Sequence, residues 1–131
     1  MSGLPVPRPR ASVNAQLRTP APHVSVVSVT GEVDGATEHR VRQVLRRALA
    51  ELAPVVVVDL RRVTFCDSAI LELLVSARRQ CRECGEALRL VRVEGGCLDR
   101  VLDLAGLREG FALFACLSEA MQGPTGAEAA H

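Results

Sequence analysis

Asp67 and Ser68 carry the clearest chemistry in this chain. A carboxylate and a hydroxyl stand side by side where a strand-like run, residues 55–65, gives way to a helical one. Asp and Ser are favoured helix caps, worth roughly 0.5–2 kcal/mol. The same position suits an anion, because the first backbone N–H groups and the positive end of the helix dipole point there. A phosphoryl group on Ser68 would add about −1.5 to −2 charges at that mouth. Asp67 would repel it, and a partner covering the loop would be displaced. The residues by themselves leave both readings open.

Other reactive side chains offer less. Cys81-Arg82-Glu83-Cys84 has the spacing of a zinc or redox motif. However, Ile70, Leu74, Ala77, Cys81 and Cys84 recur at helical steps, which predicts that both thiols face the core as small hydrophobes. A redox pair also sits at a helix start, not an end. A structural zinc would need two further ligands that the spacing does not supply, so no metal is expected. Cys66 stands apart because it adjoins Asp67. His23, His39 and His131 are scattered, and no Ser–His–Asp arrangement is suggested. There is no G-x-G-x-x-G and no G-x-x-x-x-G-K, so no nucleotide cofactor is expected. The chain is expected not to be an enzyme.

The elements that must position Asp67 and Ser68 follow from periodicity. Val55 to Val58 are consecutive and β-branched, the pattern of a strand covered on both faces. A short polar-edged loop follows, then a helix from Asp67-Ser68 to about Cys84, closed by Gly85. Upstream, Ser12–Arg18 alternates and predicts an edge strand, residues 19–22 a hairpin loop, and residues 23–31 a central strand antiparallel to it. Gly31–Gly35 reads as a loop, with Asp34 or Thr37 capping the next helix. Val41, Val44, Leu45, Ala48, Leu49 and Leu52 mark that helix's buried face, and Pro54 stops it. Downstream come an alternating strand over 87–93, a Gly95-Gly96 turn, a short helix ended by Gly106, a strand over 111–114 and a last helical turn at Ser118. Arg78, Arg79 and Arg82 read as the solvated side of the second helix, able to steer an acidic partner.

The order β, β, α, β, α, β, α, β, α implies parallel neighbours joined by right-handed crossovers. The fold class is therefore α/β: one domain with a mixed central sheet, an antiparallel edge pair and packed helices. Residues 1–11, with Pro5, Pro7 and Pro9, read as a flexible arm; 12–122 as the domain; 123–131 as a disordered tail.

Composition narrows the function. With 131 residues and 48% apolar content, the chain can bury one core without staples. No run approaches the ~18 apolar residues of a membrane span. The start of the chain lacks the apolar centre of a signal peptide, so a cytoplasmic location is expected. A net charge of +1, no basic block, no Trp or Tyr and only three Phe argue against nucleic acid. The five cysteines are expected to be reduced.

Four segments together resemble the STAS domain, specifically the bacterial anti-sigma factor antagonists: Gly31-Glu32-Val33-Asp34, Val57 through Ser68, Leu104-Ala105-Gly106-Leu107, and Leu117-Ser118-Glu119-Ala120-Met121. The resemblance spans roughly residues 12–122. It implies the same α/β fold and a binding role. An unphosphorylated antagonist docks on an anti-sigma factor, often a serine kinase of ATPase fold, and frees a sigma factor; phosphorylation at the start of the second helix ends the contact. It implies partner contacts at Glu32, Asp34, Thr64, Cys66, Asp67, Ser68 and Ala69, with Ser68 as the phosphorylation candidate, in a monomer or weak homodimer. The family's usual run is Asp-Ser-Ser/Thr-Gly. Here Ala69 and Ile70 replace the last two residues, so Ser68 is the hydroxyl left for a switch. The alternative is a non-switching STAS subunit docked in a larger complex, such as a lipid-transport ATPase or a stress-sensing assembly.

Overall fold

The computed structural model describes residues 12–122; the expected arm, 1–11, and tail, 123–131, lie outside the described residues. Five strands form one sheet in the order β1-β2-β3-β4-β5: β1 (Val13–Ala21), β2 (Val24–Val33), β3 (Val55–Cys66), β4 (Ala87–Val91) and β5 (Ala112–Phe114). β1 and β2 are antiparallel, and every later neighbour is parallel. The helices are α1 (Glu38–Ala50), α2 (Ala69–Glu83), α3 (Cys97–Ala105) and α4 (Leu117–Ala120), with a 3-10 turn at Arg108–Gly110. The expected α/β class, element order and antiparallel edge are all found.

The valine run explains the layering. Val55, Val56, Val57 and Val58 are each 0% exposed. Strand alternation sends Val56 and Val58 into the larger core with α1, α2 and α3, and Val55 and Val57 into a smaller one. Ala120 of α4 belongs to that smaller core, with Leu117, Met121 and Phe114 packed against it. The same cover corrects the reading of residues 87–93. Simple alternation would leave Arg89 on the strand's polar side, yet it is buried. Its guanidinium donates to the carbonyls of Ala120 (2.9 Å) and Gln122 and lies over the Phe114 ring. A cation at the last carbonyls of a helix is well placed.

Several boundaries move, each for a local reason. β1 continues through Thr19 and Pro20, and the turn falls at Pro22-His23. Between the Arg18–Val26 and Ala21–Val24 pairs, two β1 residues oppose one of β2, so Pro20 occupies a bulge on an edge strand. β2 runs past Gly31, which bends the strand at φ +106. α1 ends at Ala50, so Leu52 leaves the expected buried stripe; it is exposed, with φ +56. In α2 the buried stripe is Ile70, Leu73, Leu74, Ala77 and Cys81, whereas Cys84 is the C-cap and exposed. Gly85 (φ +72) then closes a Schellman turn, with the Glu86 N–H donating to the Cys81 carbonyl at 2.7 Å.

Candidate functional site

The site forms where β2 and β3 end. Glu32 pairs with Phe65 and Val33 with Cys66, and the Asp67 N–H donates to the Val33 carbonyl at 3.2 Å. Two loops more than thirty residues apart in sequence thus become neighbours at the carboxyl edge of parallel strands, where open α/β sheets commonly bind their ligands. The strand-like run expected to end at residue 65 ends one residue later, at Cys66, and the helix begins at Ala69. β3 extends through Arg61–Cys66 as ladder, and only Asp67 and Ser68 separate it from α2.

Asp34 builds the first loop. Its Oδ1 accepts from the N–H groups of Ala36 (2.9 Å) and Thr37 (3.0 Å), and its own N–H donates to Thr37 Oγ1. The Thr37 hydroxyl donates in turn to the Glu32 carbonyl at 2.7 Å. Thr37 is the N-cap residue of α1 and makes no side-chain capping bond, while the Asp34 carboxylate holds the turn that leads into it. The sequence named both residues; the structure divides the task between them. Across the gap, the Thr64 hydroxyl is exposed and donates to the Gly31 carbonyl at 3.3 Å.

Asp67 builds the second loop in the same way, its Oδ1 accepting from the Ala69 N–H at 2.9 Å. The Ile70 and Leu71 N–H groups donate to the carbonyls of Asp67 and Ser68. The expectation of several free N–H groups at this mouth is therefore corrected: the local turn satisfies those of Ala69, Ile70 and Leu71, and what it offers an anion is chiefly the dipole. Ser68 sits at the N-cap position, is exposed, and makes no side-chain capping bond. The capping role goes to Asp67, and the Ser68 hydroxyl faces solvent.

The remaining candidates divide by burial. Glu32, Asp34, Asp67 and Ala69 are half-buried, and Thr64 is exposed. Cys66 is buried with the core cluster, so it supports the mouth from beneath and presents no surface to a partner. Phe65, which the sequence reading passed over, is 48% exposed beside Glu32. Its signal was a large aromatic flanked by Thr64 in a polar strand tail. Beside the mouth, an open groove of about 560 Å³ runs between α1 and α2, lined by Leu45, Leu49, Leu71 and Val75 with Arg42, Arg46 and Arg79 along it. Arg78 departs from the expected solvated face: it donates to the Gly110 carbonyl at 2.7 Å and covers the Phe111 ring at 4.5 Å.

A family model described as "Mlab, STAS domain" matches residues 18–116. The chain belongs to the STAS domain family. The anti-sigma-F factor antagonist RsfB of Mycobacterium tuberculosis is 30% identical to this STAS protein over 104 residues, 79% of this chain and 83% of its own. The crystal structure of an anti-sigma factor antagonist from Mycobacterium paratuberculosis superposes with a TM-score of 0.75 at 29% identity, covering 84% of this chain and 92% of that one. Unphosphorylated SpoIIAA shares the fold with a TM-score of 0.67 at 20% identity, over 82% of this chain and 93% of its own. Among the described residues, no helix of this STAS domain is long and apolar enough to cross a membrane.

Proposed function

We propose that this STAS domain is an anti-sigma factor antagonist, acting in the cytoplasm without catalysis of its own. It binds an anti-sigma factor that is a serine kinase of ATPase fold, through Glu32, Asp34, Thr64, Asp67, Ser68 and Ala69. Phosphorylation of Ser68 ends the contact. The observation that carries this reading is the division of labour at the mouth: Asp67 caps α2, and the exposed Ser68 hydroxyl has no capping bond to give up. The kinship with RsfB supports the same reading. A phosphoryl group there would place about −1.5 to −2 charges next to Asp67, inside a surface the partner must desolvate. Arg46 and Arg79 along the neighbouring groove, beside an Arg42 paired with Glu38 and a Glu72 in the same lining, suit an acidic partner.

Titration calorimetry against a purified anti-sigma kinase tests this, with phosphate located by mass spectrometry after incubation with ATP. The wild type binds and gains phosphate on Ser68. Ser68→Ala binds but gains none, and Ser68→Asp binds at least about tenfold more weakly, ~1.4 kcal/mol. Failure of the unphosphorylated wild type to bind any such kinase would refute the proposal.

A second reading is a permanent STAS subunit of a larger assembly, such as a lipid-transport ATPase. It is favoured by Ala69 and Ile70, which leave the switch loop short of its usual residues. Binding that is indifferent to Ser68→Asp would favour it.

A further inference from the structure

The chain enters the domain beside the mouth. β1 and β2 hold one register from Arg18–Val26 to Val13–Gly31. The Glu32 N–H donates to the Ser12 carbonyl at 2.9 Å, so the pairing runs one step further. Two more steps in that register set Arg10 opposite Asp34. The Asp34 backbone is already used there: its N–H donates to Thr37 Oγ1, and its carbonyl accepts from Thr37 and Glu38. The ladder therefore stops near Ser12, and what residues 1–11 can bring to the mouth is side chains.

The two parties are complementary. The segments that form the mouth, residues 31–39 and 63–77, hold Glu32, Asp34, Glu38, Asp67 and Glu72 and no Lys or Arg. Counting the flanking Arg40 and Arg62 still leaves the mouth acidic. Glu38 pairs with Arg42. The Glu32 carboxylate is half-buried and has no hydrogen-bond or ionic partner among the described residues. Phe65, in register with Glu32, is exposed. Residues 1–11 hold Arg8, Arg10 and three prolines, and no Asp or Glu. An aromatic ring receives proline-rich chain in the polyproline II form, and a carboxylate receives a guanidinium. The reach also fits. Phe65 lies two strands from β1, about 10 Å at ~4.8 Å per strand. The four residues from Ser12 back to Arg8 cover about 12 Å as polyproline II.

We propose that residues 5–10, Pro-Val-Pro-Arg-Pro-Arg, dock across the chain's own mouth as a basic strap. Arg10 meets Asp34 and Glu32, the prolines cover Phe65, and Arg8 lies toward Asp67. The docking stands on register, reach and charge; its consequence rests on the proposed function. The strap occupies the surface that the anti-sigma factor would cover, so the partner must move it aside. Exposed ion pairs are individually weak, and such a strap yields to a partner that buries more surface.

The test uses the full chain, which contains no Lys. Arg8→Lys and Arg10→Lys, made singly, each introduce one ε-amine, and a carbodiimide joins it to a carboxylate in contact with it. Mass spectrometry after digestion locates the bond. The expected bonds lie within one chain, from residue 10 to Asp34 or Glu32 and from residue 8 to Asp67 or Glu32. Both fade in about 1 M salt, where the screening length is ~3 Å. Residue 8 decides the matter, because residue 10 is tethered near Glu32 whether or not the strap docks. In parallel, amide hydrogen exchange compares the wild type with the double variant Arg8→Ser, Arg10→Ser. Both positions precede the first strand, so the sheet is left as it is. Exchange across residues 64–70 is expected to quicken about two- to fivefold in the variant, the range that exposed ion pairs support. No bond from residue 8, a bond from it to Glu51 or Glu83, bonds formed only between two copies, or unchanged exchange would each overturn the proposal. No kinase enters these measurements, so their failure is distinguishable from failure of the binding test above.

Discussion

Asp34→Ala separates loop architecture from partner contact at the proposed surface. The wild-type carboxylate accepts two backbone N–H bonds, from Ala36 and Thr37, at 2.9 and 3.0 Å. Alanine leaves both donors without that partner. The Ala36 N–H is exposed and water replaces the oxygen at little cost, whereas the buried Thr37 N–H keeps only its longer bond to the Asp34 carbonyl at 3.2 Å. Loss of a side-chain acceptor at a helix start costs roughly 0.5–2 kcal/mol, and the retained backbone bond places this case in the lower half, about 0.5–1 kcal/mol. For a domain of this size that is a fall in melting temperature of about 2–4 °C, between the ranges for smaller and larger domains. Asp34→Asn keeps an acceptor oxygen in the same place and loses only the charge, so its melting temperature stays near the wild type's. Differential scanning calorimetry measures both variants, and calorimetric titration with the anti-sigma kinase measures their binding. If Asp34 matters as a contact, Asn weakens binding without lowering stability; if it matters as scaffolding, only Ala does harm. An Asp34→Ala protein as stable as the wild type would refute the reasoning, because the bonds around Thr37 could not then be holding the loop.

Two further outcomes bear on the frame around the site. Gly31→Ala places a side chain at φ +106 with its Cβ against the Ser12 carbonyl oxygen, an acceptor already used by the Glu32 N–H; strain of about 1–3 kcal/mol before any clash should appear as a lowered urea midpoint. Asp99 is the pH-sensitive element. Burial alone would raise its carboxyl, but the Gly95 N–H and then Arg92 and Arg108 hold it below the usual carboxylate range. A group depressed in the folded state stabilises above its unfolded pKa, about 3.9, and loses that contribution as pH falls through the folded value. Denaturant titrations should therefore show the wild type losing stability below about pH 4. Asp99→Asn should lose roughly 3 kcal/mol at pH 7, the low end for a broken buried pair because Arg108 is partly solvated, and show a flatter acid limb.

What the sequence made legible was whatever a single element's own period records. The unbroken valines marked β3 as covered on both faces, and the 3.6-residue recurrence drew α1 and α2 nearly whole. What it hid depended on residues far along the chain. β2 continues past Gly31 to Val33 beside the end of β3, where the sequence reads a loop from Gly31, because the tail of β3 lies there to accept the ladder. Arg89 is buried by α4, some thirty residues later, so its alternation with Leu88 and Leu90 pointed to solvent when the space was already filled. Asp67 and Ser68 were legible as a pair of candidates, but which one caps and which one stays free depends on where the first turn of α2 places the Ala69 N–H.

Ile70 sharpens what the mouth can do. It stands where the family's usual run has glycine, and it is 1% exposed, fixed in the core beside Leu73 and Leu74. Glycine there would leave the first turn of α2 free to rearrange; a buried β-branched residue does not. Asp67 fixes the same turn from outside through the Ala69 N–H, and Asp34 fixes the facing loop. Binding to a surface already ordered costs less conformational entropy than binding to a mobile one, so the unmodified mouth would dock tightly in the proposed contact. The same stiffness removes loop movement as a route to release. In the proposed switch, a phosphoryl group on Ser68 must therefore act through charge and desolvation at a fixed position, and charge alone should reproduce it. That is why an aspartate at residue 68, which adds a charge without the bulk of a phosphate, is the informative substitution for this protein.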